Sequence, residues 1–171
     1  MKKVVSSKTA GFNLYANSYR CEDVVSVELP EMELETEEVA GAGILGKIEM
    51  PATTDVGSME ITVKLKATSS SRTYKELAKG GMLETRWATN VIDPTTGVPD
   101  LVSNKAYSKV VLKKIADGTI ENGSPQEAEF TFECLTWKRV VNGETVIEID
   151  KLNNINKIAG QDFSSKLSSM L

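Results

Sequence analysis

A chain of 171 residues with 40% hydrophobic and 26% charged side chains has the size and composition of one globular domain with a real core. It contains no histidine, which removes Ser-His-Asp and Cys-His catalysis, histidine zinc ligands and the side chain that titrates near neutrality. A net charge of −4 opposes binding of nucleic acid over the whole surface, because neutralising phosphates requires clustered Lys and Arg.

Residues 1–10 are polar and lysine-containing and read as an N-terminal arm. Met1-Lys2-Lys3 has the charge of a signal-peptide start, but Ser6, Ser7, Lys8 and Thr9 stand where its apolar core belongs. This predicts a protein retained in the cytoplasm of the cell that makes it. No apolar run approaches the roughly 20 residues that span a bilayer, so no membrane segment is expected. Phe12–Tyr15 and Val24–Leu29 are rich in β-branched and aromatic residues and read as strands, the second closed by Pro30. Met32, Leu34 and Thr36 then alternate with Glu33, Glu35 and Glu37, a half-buried strand with a row of carboxylates. Between Arg20 and Lys47 every charged residue is acidic.

The stretch Gly41-Ala42-Gly43-Ile44-Leu45-Gly46 spells G-x-G-x-x-G, the pattern of a dinucleotide-binding turn. Its context rejects that chemistry: a glutamate-laden segment precedes it, and Pro51 cuts off the helix whose N-terminus would hold the pyrophosphate. No cofactor is expected. Residues 38–57 read instead as an extended loop for self-association, with glycines permitting close backbone approach and Ile44, Leu45, Ile48 and Met50 offering apolar surface to a neighbour. A plain flexible hairpin tip is the alternative reading, and Pro51-Ala52-Thr53-Thr54-Asp55 reads as a turn.

Met59, Ile61, Val63 and Leu65 alternate strictly with Glu60, Thr62, Lys64 and Lys66, the clearest strand in the chain. One short helix follows over Arg72–Lys79, with Thr73 and Glu76 at capping-box spacing and Gly80-Gly81 as the stop. Strands resume over Leu83–Ile92, with Trp87 as a core anchor, and over Tyr107–Ile115, whose neighbourhood carries the basic strip Lys105, Lys109, Lys113 and Lys114. Asp93–Asp100 is a turn-rich surface loop, and Asn122-Gly123-Ser124 another turn. Glu127–Val141 runs unbroken for about 50 Å at ~3.3 Å per residue, so it must bend or project. Its inward phase shifts from Phe130 and Phe132 to Leu135 and Trp137, as a bulge requires. Asn142-Gly143 is a type I′ hairpin signal, returning the chain into Glu144–Ile149. Residues 152–171 keep the sparse apolar spacing of a C-terminal docking segment or final helix. Cys21 and Cys134 lie far apart in strand-like surroundings and read as small buried hydrophobes, neither a disulfide nor a metal site. The fold expected is mainly β: a single-domain barrel or sandwich over residues 1–171, flanked by one short helix, with an extended loop and a long hairpin used for oligomerisation.

With these elements in place the chain resembles the major tail tube proteins of contractile-tailed bacteriophages and of phage-tail-like bacteriocins. The resemblance rests on Gly41–Gly46 after an acidic strand, on the Met59–Leu65 strand, and on the closing run from Val141 through Asn142, Gly143 and the following strand to Gly160. It implies a non-enzymatic structural subunit whose hexameric rings stack helically into a hollow rigid tube, a component of the virion or bacteriocin particle. The sheath contracts around such a tube and drives it through the bacterial envelope, and the tube conducts DNA or ions. Sheath, baseplate and tail terminator proteins are the implied partners, with a tape measure protein in the lumen during assembly and no sequence-specific contact with nucleic acid. Such a lumen would be net acidic, with Glu33, Glu35, Glu60, Glu129 and Glu133 as its candidate lining, and the Asn142-Gly143 tip would reach an adjacent subunit or ring. Two other readings stay open: a type VI secretion tube protein, and a monomeric β-sandwich module binding a ligand through Trp87 and Trp137.

Overall fold

Strict alternation along the sequence becomes sheet in the computed structural model, which describes residues 4–66 and 70–171. In chain order the elements are β1 (Val5–Ala16), β2 (Tyr19–Arg20), β3 (Val24–Glu28), β4 (Leu34–Ala40), β5 (Lys47–Val56), β6 (Glu60–Lys66), α1 (Ser71–Lys79), β7 (Gly81–Ile92), β8 (Pro99–Ala116), β9 (Glu127–Cys134), β10 (Thr136–Val141), β11 (Glu144–Asp150), β12 (Ile155–Ile158), β13 (Gln161–Asp162) and α2 (Phe163–Ser168). Eleven of these strands form one sheet, and β4 and β5 form a second, two-stranded one. The fold is mainly β, as the sequence implies. Residues 5–10, read as a terminal arm, are the exposed first half of β1, held by pairing Val5 with Ile92 and Thr9 with Thr89 of β7.

The large sheet splits at Leu135. Up to Cys134 the returning strand pairs with β6 on one edge and the end of β8 on the other. Beyond it, β10 pairs with β11 and with residues 104–107 of β8. Ala128, Phe130, Phe132 and Cys134 are buried, and then Trp137, so the inward parity changes across Leu135. The extra residue keeps its backbone satisfied: its N–H donates to Lys109 O at 2.8 Å and its carbonyl accepts from Lys151 N at 3.1 Å. The long strand therefore bends and does not project.

The bend lets one layer (β1, β7, the first part of β8, β10 and β11) face another (β3, β6, β9 and the end of β8). Between them lies one core, with Leu14, Leu83, Val110, Trp137 and Ile149 from the first and Ile61, Val63, Phe130 and Phe132 from the second. Tyr74 of α1 meets the Phe130 ring edge-on at 4.9 Å. The helix is capped differently from its sequence reading: Ser70 is the N-cap, its hydroxyl accepting from Thr73 N at 3.3 Å, and Thr73 is buried inside the first turn. Gly80 ends it at φ 69°, with a hypothetical Cβ only 2.8 Å from Val110 O. The tail also departs from a one-helix fold. β12 extends the sheet beside β11, and Asp162 caps α2, accepting from Ser165 N at 3.0 Å.

Candidate assembly interface

β4 and β5 make a ribbon with almost every residue exposed. The segment read as an extended loop is thus a hairpin with Gly41–Gly46 as its tip, its register regular from Thr36 to Ala40 and broken between Thr36 and Leu34. Its register sets Glu37 opposite Met50 and Val39 opposite Ile48, with Glu38 opposite Glu49 and Ala40 opposite Lys47. Side chains alternate along a strand, so Glu37, Val39, Ile48 and Met50 share one face. The other face carries Thr36, Glu38, Ala40, Lys47 and Glu49, with a Lys47–Glu38 ion pair at 3.0 Å. Pro51–Asp55, read as a turn, lies within β5, and Pro51 stands opposite Thr36. A two-stranded ribbon is all edge, which is where proline is admitted in a sheet.

The base of the ribbon is well tied. Gly57 N donates to Glu33 O at 2.7 Å, Lys151 Nζ to Gly57 O at 2.7 Å, and Asn156 Nδ2 of β12 to Thr53 O at 2.7 Å. The C-terminal segment, read as a docking element, thereby braces the hairpin of its own chain. Beyond that base Val39, Ile48 and Met50 are exposed and Leu45 is fully so, while Ile44 is half-buried. An isolated two-stranded hairpin is marginal in water, and folded chains rarely leave such a contiguous apolar face uncovered. This amphipathic ribbon is the feature of the molecule most in need of a partner.

The carboxylates read as a lining set do not all meet. Glu60, Glu129 and Glu133 share the outer side of the β6–β9 layer, where Glu60 stands directly opposite Glu133. Glu33 and Glu35 lie apart, at the foot of the hairpin beside Gly57. Nor is that outer side purely acidic. Lys113 of the basic strip hydrogen-bonds Glu60 and lies 3.8 Å from Glu133, and the Glu60 contact holds its ammonium above the usual lysine range. Ser58 Oγ also donates to Glu133, and Lys151 Nζ stands 4.0 Å from it. Lys105 and Lys109 sit on β8 opposite Arg86 and Met82, on the outer side of the other layer.

Asn142 and Gly143 form the two-residue turn read from the sequence, with Val141 opposite Glu144 and φ values of 49° and 82°. The tip is exposed but not outstretched, since Asn142 N donates to Ser103 O at 2.8 Å beside β8. Replacing both residues with valine forces β-branched side chains into positive φ, at roughly 1–3 kcal/mol each. We expect a lower urea midpoint for the monomer; an unchanged midpoint would show that the turn does not set this register.

The tryptophans do not build a shared aromatic site. Trp137 is core, at 4% exposure, and Trp87 is half-buried with the Arg139 guanidinium 4.3 Å over its ring. Cys21 and Cys134 are free and buried, and burial pushes their thiols up to about 11 and about 12. Among the described residues no cluster of His, Cys, Asp and Glu is arranged to hold a metal, and no helix is long and apolar enough to cross a membrane.

Comparison with known proteins gives the surface its context. Residues 7–171 match the model of the family described as phage tail tube protein FII. The chain is similar to the tail tube protein of Escherichia phage P2, 25% identical over 153 residues and covering 88% of each. Among solved structures it is similar to a chain in the six-fold symmetrised cryo-EM structure of the anti-feeding prophage baseplate. That likeness has a TM-score of 0.46 and 8% identity over 75% of this chain and 90% of the other.

Proposed function

Because this chain belongs to the phage tail tube protein FII family, a structural and not an enzymatic one, we propose that it is the repeating subunit of a contractile tail's inner tube, built of hexameric rings stacked into a hollow conduit. The observation that carries the reading is the β4–β5 ribbon, whose apolar face is left exposed among the described residues. A ribbon projecting from a compact sandwich must meet a different surface of the next copy. Such heterologous contacts close into rings or run on as filaments, and a tube needs both.

The tube is then a virion component, surrounded by sheath and joined to baseplate and terminator proteins, with a tape measure protein inside it during assembly. Its chemistry is passive: it gives DNA a path through the envelope, or ions in a headless bacteriocin, and makes or breaks no covalent bond. Negative-stain electron microscopy of the purified protein tests this. Hollow tubes or stacked rings of uniform diameter are expected across a concentration series, and a protein that stays monomeric at every concentration and salt would overturn the reading.

A further inference from the structure

We propose that the apolar groove between β1 and β3 receives the β4–β5 hairpin of a second copy of this chain; the inference rests on the tube reading and names the surface that the hairpin meets. β1 pairs with β2 and β7, and β3 pairs with β6, so no ladder joins β1 to β3. The seam opens as a groove of about 350 Å³ whose apolar walls are Phe12, Val25, Leu29 and Trp87. Phe12 and Val25 are exposed there, and Val25 lies in the irregular step of β3 between Val24 and Ser26, outside the regular ladder.

Charge selects the occupant. Arg139, stacked on the Trp87 wall, donates to Asn104 Oδ1 at 2.9 Å and to Val140 O at 2.8 Å, both neutral acceptors. Among the described residues no carboxylate pairs with it, although it is partly desolvated, and a desolvated guanidinium is satisfied best by a carboxylate. The hairpin brings the complement on one face: three apolar side chains, Val39, Ile48 and Met50, and the carboxylate of Glu37, which has no ion pair among the described residues. Its neighbour Glu38 on the opposite face is already taken by Lys47. Apolar walls backed at Trp87 by Arg139, which meets no carboxylate among the described residues, thus match a ribbon face on which Val39, Ile48 and Met50 accompany Glu37. Groove and ribbon are separate surfaces of the same subunit, so the contact repeats from copy to copy without being used up.

Cross-linking tests the pairing. Val25→Cys and Leu45→Cys change exposed side chains, and the native thiols are buried and held protonated, so the unmodified protein is a silent control. The double variant, assembled and treated with a short bis-maleimide, is expected to give a ladder of covalent oligomers on a denaturing gel. Leu45→Cys combined with Lys109→Cys, on the outer side of the other layer, is expected to give monomer. Tubes of the Val25/Leu45 double variant that yield only monomer would overturn the groove while leaving the tube reading intact. Failure of the unmodified protein to assemble at all would overturn both.

Discussion

Replacing Val39, Leu45, Ile48 and Met50 together by threonine or serine is expected to abolish tube assembly while leaving the monomer folded. None of the four belongs to the core between the two layers, and the ribbon is anchored from its base by Gly57, Lys151 and Asn156. The loss falls on association. Fully burying one such side chain stabilises by about 1.5–3 kcal/mol, and even with partial burial and the ordering cost of docking, a net loss of roughly 4 kcal/mol per contact remains. At about 1.4 kcal/mol per factor of ten, the concentration needed for polymerisation rises nearly a thousandfold. Pelleting by ultracentrifugation reads the assembly, and near-ultraviolet circular dichroism reads the fold. Tubes of normal diameter at the wild-type critical concentration would remove the hairpin from the interface.

Much of the sandwich was legible because its strands have one wet and one dry side. Met59–Leu65 shows this alternation in full, and the parity change at Leu135 announced a bend before any contact was known. What escaped the sequence is what burial does not pattern. Residues 5–10 are strand through hydrogen bonds to β7 and not through a buried face, so their polar run looked like a loose arm. The β4–β5 ribbon has no core to report, and glycines at its tip with Pro51 inside β5 imitate loop and turn. Ser70 lost the cap to Thr73 in the reading because hydroxyl residues cluster there, and burial of Thr73 decides the matter only in three dimensions.

The assembly surface was half legible in the same way. The apolar content of the ribbon can be counted along the chain, whereas its single apolar face depends on register. The cation over Trp87 comes from Arg139, far away in sequence. Lys113, assigned by sequence to a basic strip of its own, belongs to the acidic face because alternation from Val111, which stands opposite Glu133, puts it on the same outer side beside Glu60.

That mixed face sets the second large effect. Glu60→Lys, Glu129→Lys and Glu133→Lys together are expected to leave assembly intact and to make the tube hold DNA. The three side chains lie on the outer side of the β6–β9 layer, away from the core and from the apolar face of the hairpin, with only Glu133 near the ribbon's base through Ser58 and Lys151, and each exchange moves the face by two units of charge. In the parent protein Glu60 and Glu133 offset Lys113, and Glu129 stands opposite Lys64, so the surface is weakly acidic and repels phosphate only within about 8–10 Å. In the variant the face gains three cations, and Lys64 and Lys113 lose the carboxylates beside them while Lys66 keeps Glu127 opposite it. If this layer faces the lumen, phosphates meet a continuous basic wall repeated in every subunit. Retention should then be strong near 50 mM salt and fall by at least about a thousandfold by 200 mM, as release of condensed counterions requires. Cosedimentation of labelled DNA with variant tubes measures it. Tubes that bind no more DNA than the parent at low salt would place these glutamates elsewhere, as would a reconstruction with Lys105 and Lys109 lining the channel; the outer side of the β7–β8 layer would then be the wall.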